Sequence, residues 1–446
     1  MSRAFASTLV VLALAAQAWA DLAEYVARHD PTYAFKRVGD GKLPDGGTYI
    51  EVVMTSQTWR GITWRHRLTI VRPAGMDKPT HGLLFISGGE WPSGDEAKGL
   101  GRNNRELPTA VDLAARTKMP VAVLNQVPFQ PIFGGKYEDA IISYTFQQYM
   151  QTGEEDWPLL MPMVKAAVRA MDTVQAVARD DWKVEVPHFV VTGASKRGWT
   201  TYLTSVVDPR VQALAPMVFD TLSMNAQMKY QVESYGQYSE QIKDYTEARL
   251  QDHLDTPPGR KLVALVDPYA YLDKLTQPKF ILLGTNDRYW TLDALNLYWP
   301  DLKGEKYVFY VPNSGHGLTD RKRVAANIAA LVLRAAGKLE LPRPEWSFKE
   351  SDQGLTLTIA SKVKPAGVVA WTTTARTRDF RKSQWSSQKL EAGSDTYTLT
   401  VPRPKSGFAA GFGELSYEID GHPVYLSTTI RIIEAKKQHD VAGSSR

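Results

Sequence analysis

One stretch constrains this chain more than any other: Phe189-Val-Val-Thr-Gly-Ala-Ser195-Lys-Arg-Gly-Trp199. A β-branched apolar run stops at a glycine-flanked serine and passes directly into a helical pattern. Such a turn presents a side chain at the edge of a sheet. It also aims the N-terminus of the following helix, with its unpaired N–H groups, at any negative charge forming there. The spacing is Gly-x-Ser-x-x-Gly, one residue longer than the common Gly-x-Ser-x-Gly elbow, so the string must be read with the rest of the chain. Taken alone, Ser195 could equally cap the helix.

The flanking sequence repeats the strand–helix alternation. Residues 48–59 and 63–72 alternate about Arg60-Gly61 and predict an antiparallel hairpin. Short apolar strands are expected at 83–86, 121–124, 187–192, 211–219, 280–283 and 307–311. Helices are expected near 106–117, 138–150, 159–179, 196–206 and 320–336. Residues 221–275, rich in Tyr, Gln, Glu and Asp, interrupt the rhythm and predict a mostly helical, lid-like insertion. The fold class is therefore α/β, with a mostly parallel doubly wound sheet behind an antiparallel N-terminal pair. The unit is expected over 21–340. After Leu341-Pro-Arg-Pro344 the chain changes character, with alternating strands at 355–360, 367–374, 396–401, 408–419 and 424–433. These predict a β-sandwich-like domain at 345–433, then a polar, disordered tail at 435–446.

Three strand ends carry chemistry in order: Ser195, then Gly284-Thr-Asn-Asp287, then Asn313-Ser-Gly-His316-Gly317. Ser–Asp–His is the chain order of α/β-hydrolases, whose sites lie outside the carboxyl ends of the strands. A serine hydroxyl needs a base, and His316 is the candidate. Asp287 would fix the imidazole tautomer and stabilise its protonated form. Asp220, also at a strand end, is the rival acid or a pocket residue. Asp287 could otherwise cap a helix opening near Thr291. The N–H of Lys196 and of Gly88 or Gly89 are the expected oxyanion donors.

With 53 Lys and Arg against 48 Asp and Glu, net charge is +5. The charges are spread without a basic, aromatic-interleaved run, so nucleic-acid binding is not expected. The chain has no cysteine, which excludes disulfides and thiolate chemistry. No His-x-x-x-His or His-Glu-x-x-His pattern supports a metal site, and no cofactor is expected. Residues Met1–Ala20 place one Arg before an apolar stretch ending in Ala18-Trp19-Ala20. That predicts a cleaved signal peptide and a periplasmic or secreted protein without stable membrane insertion.

The residues also resemble the PhoPQ-activated pathogenicity-related protein family, an exported α/β-hydrolase-like group. The likeness is carried by Glu138-Asp139-Ala-Ile-Ile-Ser-Tyr-Thr, Ala167-Val-Arg-Ala-Met-Asp-Thr-Val-Gln175, Val191-Thr-Gly-Ala-Ser-Lys-Arg-Gly-Trp-Thr200, Gly284-Thr-Asn-Asp287, Asn313-Ser-Gly-His316 and Arg378-Asp-Phe-Arg381. It implies a hydrolase fold followed by a β-rich C-terminal domain. One departure lies in Val127-Pro-Phe-Gln-Pro131, where Asn is expected in place of Phe129, with consequences for pocket shape. The Ser-Lys-Arg-Gly turn is also similar to that of glucuronoyl esterases. That likeness implies that Lys196 or Arg197 helps hold an oxyanion or a carboxylate.

Trp91, Trp199, Tyr289 and Trp290 lie near the proposed site and are candidate substrate-binding residues, with Arg197 and Asp220. Tyr230, Tyr235 and Tyr238 are candidate pocket walls in the insertion. Three functions follow: a secreted serine esterase, a serine peptidase of the same fold, or a binding or signalling protein on a hydrolase scaffold. The partner would be a small-molecule ester or peptide substrate. A peptidase would need acidic groups such as Glu233 or Glu240 to hold a substrate amine.

Overall fold

The computed structural model describes residues 22–91, 106–393 and 396–436. The predicted signal peptide and residues 437–446 of the predicted tail lie outside them. Nine strands form the main sheet: β1 (Ala34–Lys42), β2 (Thr48–Trp59), β3 (Ile62–Arg72), β4 (His81–Ile86), β5 (Val121–Leu124), β6 (His188–Ala194), β7 (Val211–Met217), β8 (Lys279–Gly284) and β9 (Lys306–Val311). Their spatial order is β1-β2-β3-β5-β4-β6-β7-β8-β9. Strands β4 to β9 pair in parallel, whereas β1, β2 and β3 run antiparallel at one edge. From β2 onward this order, with its swap of β4 and β5, is the α/β-hydrolase sheet. Strand β1 is an addition that alternation did not reveal, because its charged and glycine-rich residues leave it exposed on the edge.

The central strands read as continuous apolar runs because both of their faces are covered. Leu84 and Ile86 of β4 enter one hydrophobic core, while Leu83 and Phe85 enter the other. Strands β5, β8 and β9 divide their residues the same way, as the two-residue period of a strand requires. Helices α1 (Leu22–Ala27), α2 (Leu107–Thr117), α3 (Glu138–Thr152), α4 (Leu160–Val177) and α5 (Lys196–Val207) follow in chain order. The insertion then holds α6 (Met224–Tyr235), α7 (Lys243–Glu247) and α8 (Pro257–Val266) with short 3-10 turns, and α9 (Arg321–Ala335) closes the unit. Helices α4 and α5 cover one face and α2 with α9 the other. No helix among the described residues is long and apolar enough to cross a membrane.

The C-terminal part is antiparallel. Strands β10 (Glu345–Glu350), β11 (Gly354–Ala360), β12 (Gly367–Ala375), β13 (Ser386–Lys389), β14 (Thr396–Pro402), β15 (Phe408–Ile419), β16 (His422–Ser427) and β17 (Arg431–Glu434) make two sheets. One has the order β10-β11-β14, the other β13-β12-β15-β16, with β17 also on β15. The expected single strand at 424–433 is two strands, because Thr428 to Ile430 leave the ladder and pack inward. Strands β10 and β13 were missed since their exposed faces lack a strong apolar alternation. Both hydrophobic cores run on into this region: Phe380, Trp385 and Phe412 join one, and Leu357, Leu415 and Leu426 the other.

Candidate active site

Ser195 joins β6 to α5 with φ 60° and ψ −127°, a conformation that costs a side-chain-bearing residue about 1–3 kcal/mol. The motif's glycines explain how the turn closes. A Cβ on Gly193 would lie 2.7 Å from the Arg197 carbonyl oxygen, and one on Gly198 would lie 2.9 Å from that of Met217. The extra residue in the spacing is accommodated because Gly198 faces β7, letting α5 pack tightly on the sheet. A second strained residue follows at Val218, with φ 46°. A positive φ is rare for a β-branched side chain.

The loops after β8 and β9 meet. Asn286 N–H donates to the Ser314 carbonyl at 2.9 Å, and Asn313 N–H donates to Thr285 Oγ1 at 2.9 Å. Within this frame His316 Nδ1 lies 2.8 Å from Asp287 Oδ2. The other Asp287 oxygen accepts the Tyr289 N–H at 2.9 Å. The Tyr289 ring covers the His316 ring at 4.2 Å between centroids, and burial pushes its phenol up to about 12. His316 Nε2 is buried with no hydrogen-bond partner among the described residues. Ser195 and His316 line one cavity together with Gly88, Arg197, Leu318 and Arg321. Ser195 Oγ and His316 Nε2 do not hydrogen-bond each other here; such contacts are often long until substrate binds.

Ser195 also borders a second cavity, roofed by the insertion. Trp199, Phe219, Met228, Leu250, Leu254 and Trp290 are among its walls. Of the three insertion tyrosines predicted as pocket walls, none lines it. Tyr230 bonds Asp293 and Arg378, Tyr235 bonds the Trp290 carbonyl, and Tyr238 packs behind Met228, Ile242 and Leu254. The lid tyrosine on the cavity is Tyr245, whose hydroxyl donates to Asp139 Oδ1 at 2.9 Å.

The other predicted residues divide. Trp199, Tyr289 and Trp290 line the lid-side cavity. Trp91 does not line either cavity; its ring sits by Arg65, Arg67 and Phe129. Asp220 is not the partner of His316. It is buried, accepts the Tyr298 hydroxyl at 2.7 Å, and is pushed up to about 8 by desolvation. Nor does Asp287 cap a helix near Thr291, because the short turn there is Ala294–Leu297. Arg197 lines the His316 cavity, but its guanidinium is committed to the Val127 carbonyl and to Glu138 at 2.7 Å. The Lys196 ammonium is buried on Glu138 at 2.8 Å and Asp139 at 3.3 Å. These two cations hold the Glu138 carboxyl far below its usual range despite its burial. Their side chains thus anchor the turn, while the Lys196 N–H, like those of Gly88 and Gly89, has no acceptor among the described residues.

Sequence reading missed the braces around this site. Glu138 and Asp139, which pair with Lys196 and Arg197, carry no local sign of that role. Asn286 donates to the Ser383 carbonyl at 2.7 Å, and Asn313 exchanges hydrogen bonds with the Trp385 backbone. Arg378 pairs with Asp293 at 2.8 Å, and Arg381 pairs with Glu240 at 2.7 Å while lying over the Tyr235 ring. The segment between β12 and β13 therefore clamps the Asp287 loop, the His316 loop and the lid. Among the described residues no cluster of His, Asp and Glu could hold a metal ion.

The model of the PhoPQ-activated pathogenicity-related proteins matches residues 22–381. The chain belongs to this family. The match ends at Arg381, inside the clamp, so the PhoPQ-related pattern includes both Arg378 and Arg381. Autocrine proliferation repressor protein A of Dictyostelium discoideum is 30% identical over 447 residues, covering 92% of this chain and 88% of that protein. Solved structures similar to this PhoPQ-related protein include an acetyl xylan esterase from Paenibacillus sp. R4, at 15% identity and a TM-score of 0.46, covering 67% of this chain and 87% of that one. A glucuronoyl esterase from Solibacter usitatus is 12% identical with a TM-score of 0.41, covering 68% and 87%. Phe129, the departure from the family pattern, lines neither cavity; its ring packs between Trp64 and Trp91.

Proposed function

We propose that this protein is a serine hydrolase of carboxylic esters, with Ser195 as nucleophile, His316 as base and Asp287 as its partner. The observation that carries this reading is the strained Ser195 turn sharing a cavity with a histidine whose far nitrogen is held by a buried carboxylate. In this mechanism His316 Nε2 takes the Ser195 proton as Oγ attacks the ester carbonyl. The Asp287–His316 hydrogen bond stabilises the resulting imidazolium. The developing oxyanion would be met by the Lys196 N–H at the start of α5 and by those of Gly88 and Gly89. His316 then returns the proton to the departing alkoxide, and water reverses the sequence to release the acid. Residues 21–340 would form the reacting unit and 345–433 its brace. The apolar run before Ala20 would direct export to the periplasm or beyond.

A peptidase holding a substrate amine is less well supported. Glu240 is engaged by Arg288 and Arg381, Glu233 is exposed on α6, and neither lines either of the two cavities described at Ser195. A signalling role is favoured by one observation, the name of the Dictyostelium relative. A fluorophosphonate probe separates the readings. Labelling of the mature protein, lost in Ser195→Ala and much reduced in His316→Ala, is expected. A folded protein that takes no label would refute the hydrolase reading, and label that survives Ser195→Ala would refute the choice of nucleophile.

A further inference from the structure

We infer that the lid-side cavity is an acyl-group pocket, and that the protein prefers esters of extended apolar acids over acetate. The inference rests on the hydrolase reading above and adds the substrate class. Among the described residues Ser195 is the one common to the two cavities, so an ester bound at its Oγ must place one arm in each. Proton transfer decides which arm goes where. The alkoxide leaves with a proton from His316, so the alcohol must lie on the side that His316 lines, with Gly88 and Leu318. The acyl arm is left with the lid-side cavity.

The walls of that cavity state what it accepts. Phe146, Trp199, Phe219, Met224, Met228 and Leu254 present rings, thioethers and branched carbon. Methionines adapt to ligands of different shape. The charged groups present, Lys196 and Asp139, are already paired with each other, and Asp139 also accepts the Tyr245 hydroxyl. A charged or sugar-like acid would find no free counter-charge and would lose its hydration. Each methylene moved from water into such walls raises kcat/KM by about fourfold, from roughly 0.8 kcal/mol per buried methylene.

The test is a series of 4-nitrophenyl esters, from acetate through butyrate and hexanoate to octanoate, on the mature protein. Expected is a rise in kcat/KM of at least about tenfold from acetate to hexanoate. Met228→Trp, which fills the lid wall, should lower the hexanoate-to-acetate ratio. Val232→Trp, on the exposed face of the same helix, should leave that ratio as in the native protein. Cleavage with acetate equal or preferred, or a ratio unmoved by Met228→Trp, overturns the acyl-pocket inference and leaves the hydrolase reading standing. No cleavage of any ester, with no fluorophosphonate label on Ser195, overturns both.

Discussion

Replacing Ser195 by glycine should stabilise the protein while removing its nucleophile. The backbone there sits at φ 60° and ψ −127°, where a Cβ is strained and glycine is not; relief is worth about 1–3 kcal/mol. Glycine also gains freedom in the unfolded chain, which returns about 0.4–1 kcal/mol. The hydroxyl itself contributes little, since Ser195 Oγ makes no hydrogen bond among the described residues. The net expectation is a gain of about 0.5–2 kcal/mol for Ser195→Gly over Ser195→Ala. Alanine is the proper reference because it loses the hydroxyl and keeps the strain. Guanidinium unfolding curves of the two variants, compared at equal slope, provide the readout. If Ser195→Gly is no more stable than Ser195→Ala, the turn stores no strain and the argument fails.

Three further outcomes follow from the same geometry. Asp287→Asn should lower kcat on an activated ester by about 10⁴-fold by favouring the wrong His316 tautomer; a loss under tenfold in steady-state kinetics would contradict the pairing. Asp220→Asn should stabilise the fold increasingly as pH rises from about 3.8 toward about 8. A raised folded pKa contributes stability at low pH that is lost as the pH rises through it. A difference between variant and native unfolding free energies that stays flat between pH 4.5 and 8.5 would refute this. Asn313→Ala should cost about 1–3 kcal/mol by orphaning the Trp385 backbone, and should lower kcat more than it changes KM, because it loosens the His316 loop. Unchanged unfolding and kinetics would show the clamp to be idle.

Local pattern carried most of the α/β unit. The β2–β3 hairpin, the apolar central strands and the helices flanking them were legible because each is written in the period of its own element. The serine turn was legible because glycines at 193 and 198 flank a helix start. The strand β1 and the β13 edge were not, because a strand exposed on both faces has no apolar alternation to read. Predicted side-chain roles fared less evenly. Lys196 and Arg197 looked like substrate cations, and their true partners, Glu138 and Asp139, stand almost sixty residues earlier in the chain.

The sequence by itself determined the fold class, the order of Ser195, Asp287 and His316 along it, and the family to which the chain belongs. These depend on residue type and on spacing within one element, which local physics reads directly. Only the tertiary structure decided that Asp287 rather than Asp220 meets His316, that Trp91 lines neither cavity, and that the segment around Arg378 and Arg381 holds the lid. Each of those is a contact between distant segments, set by how two cores pack around one sheet, and no local pattern encodes it.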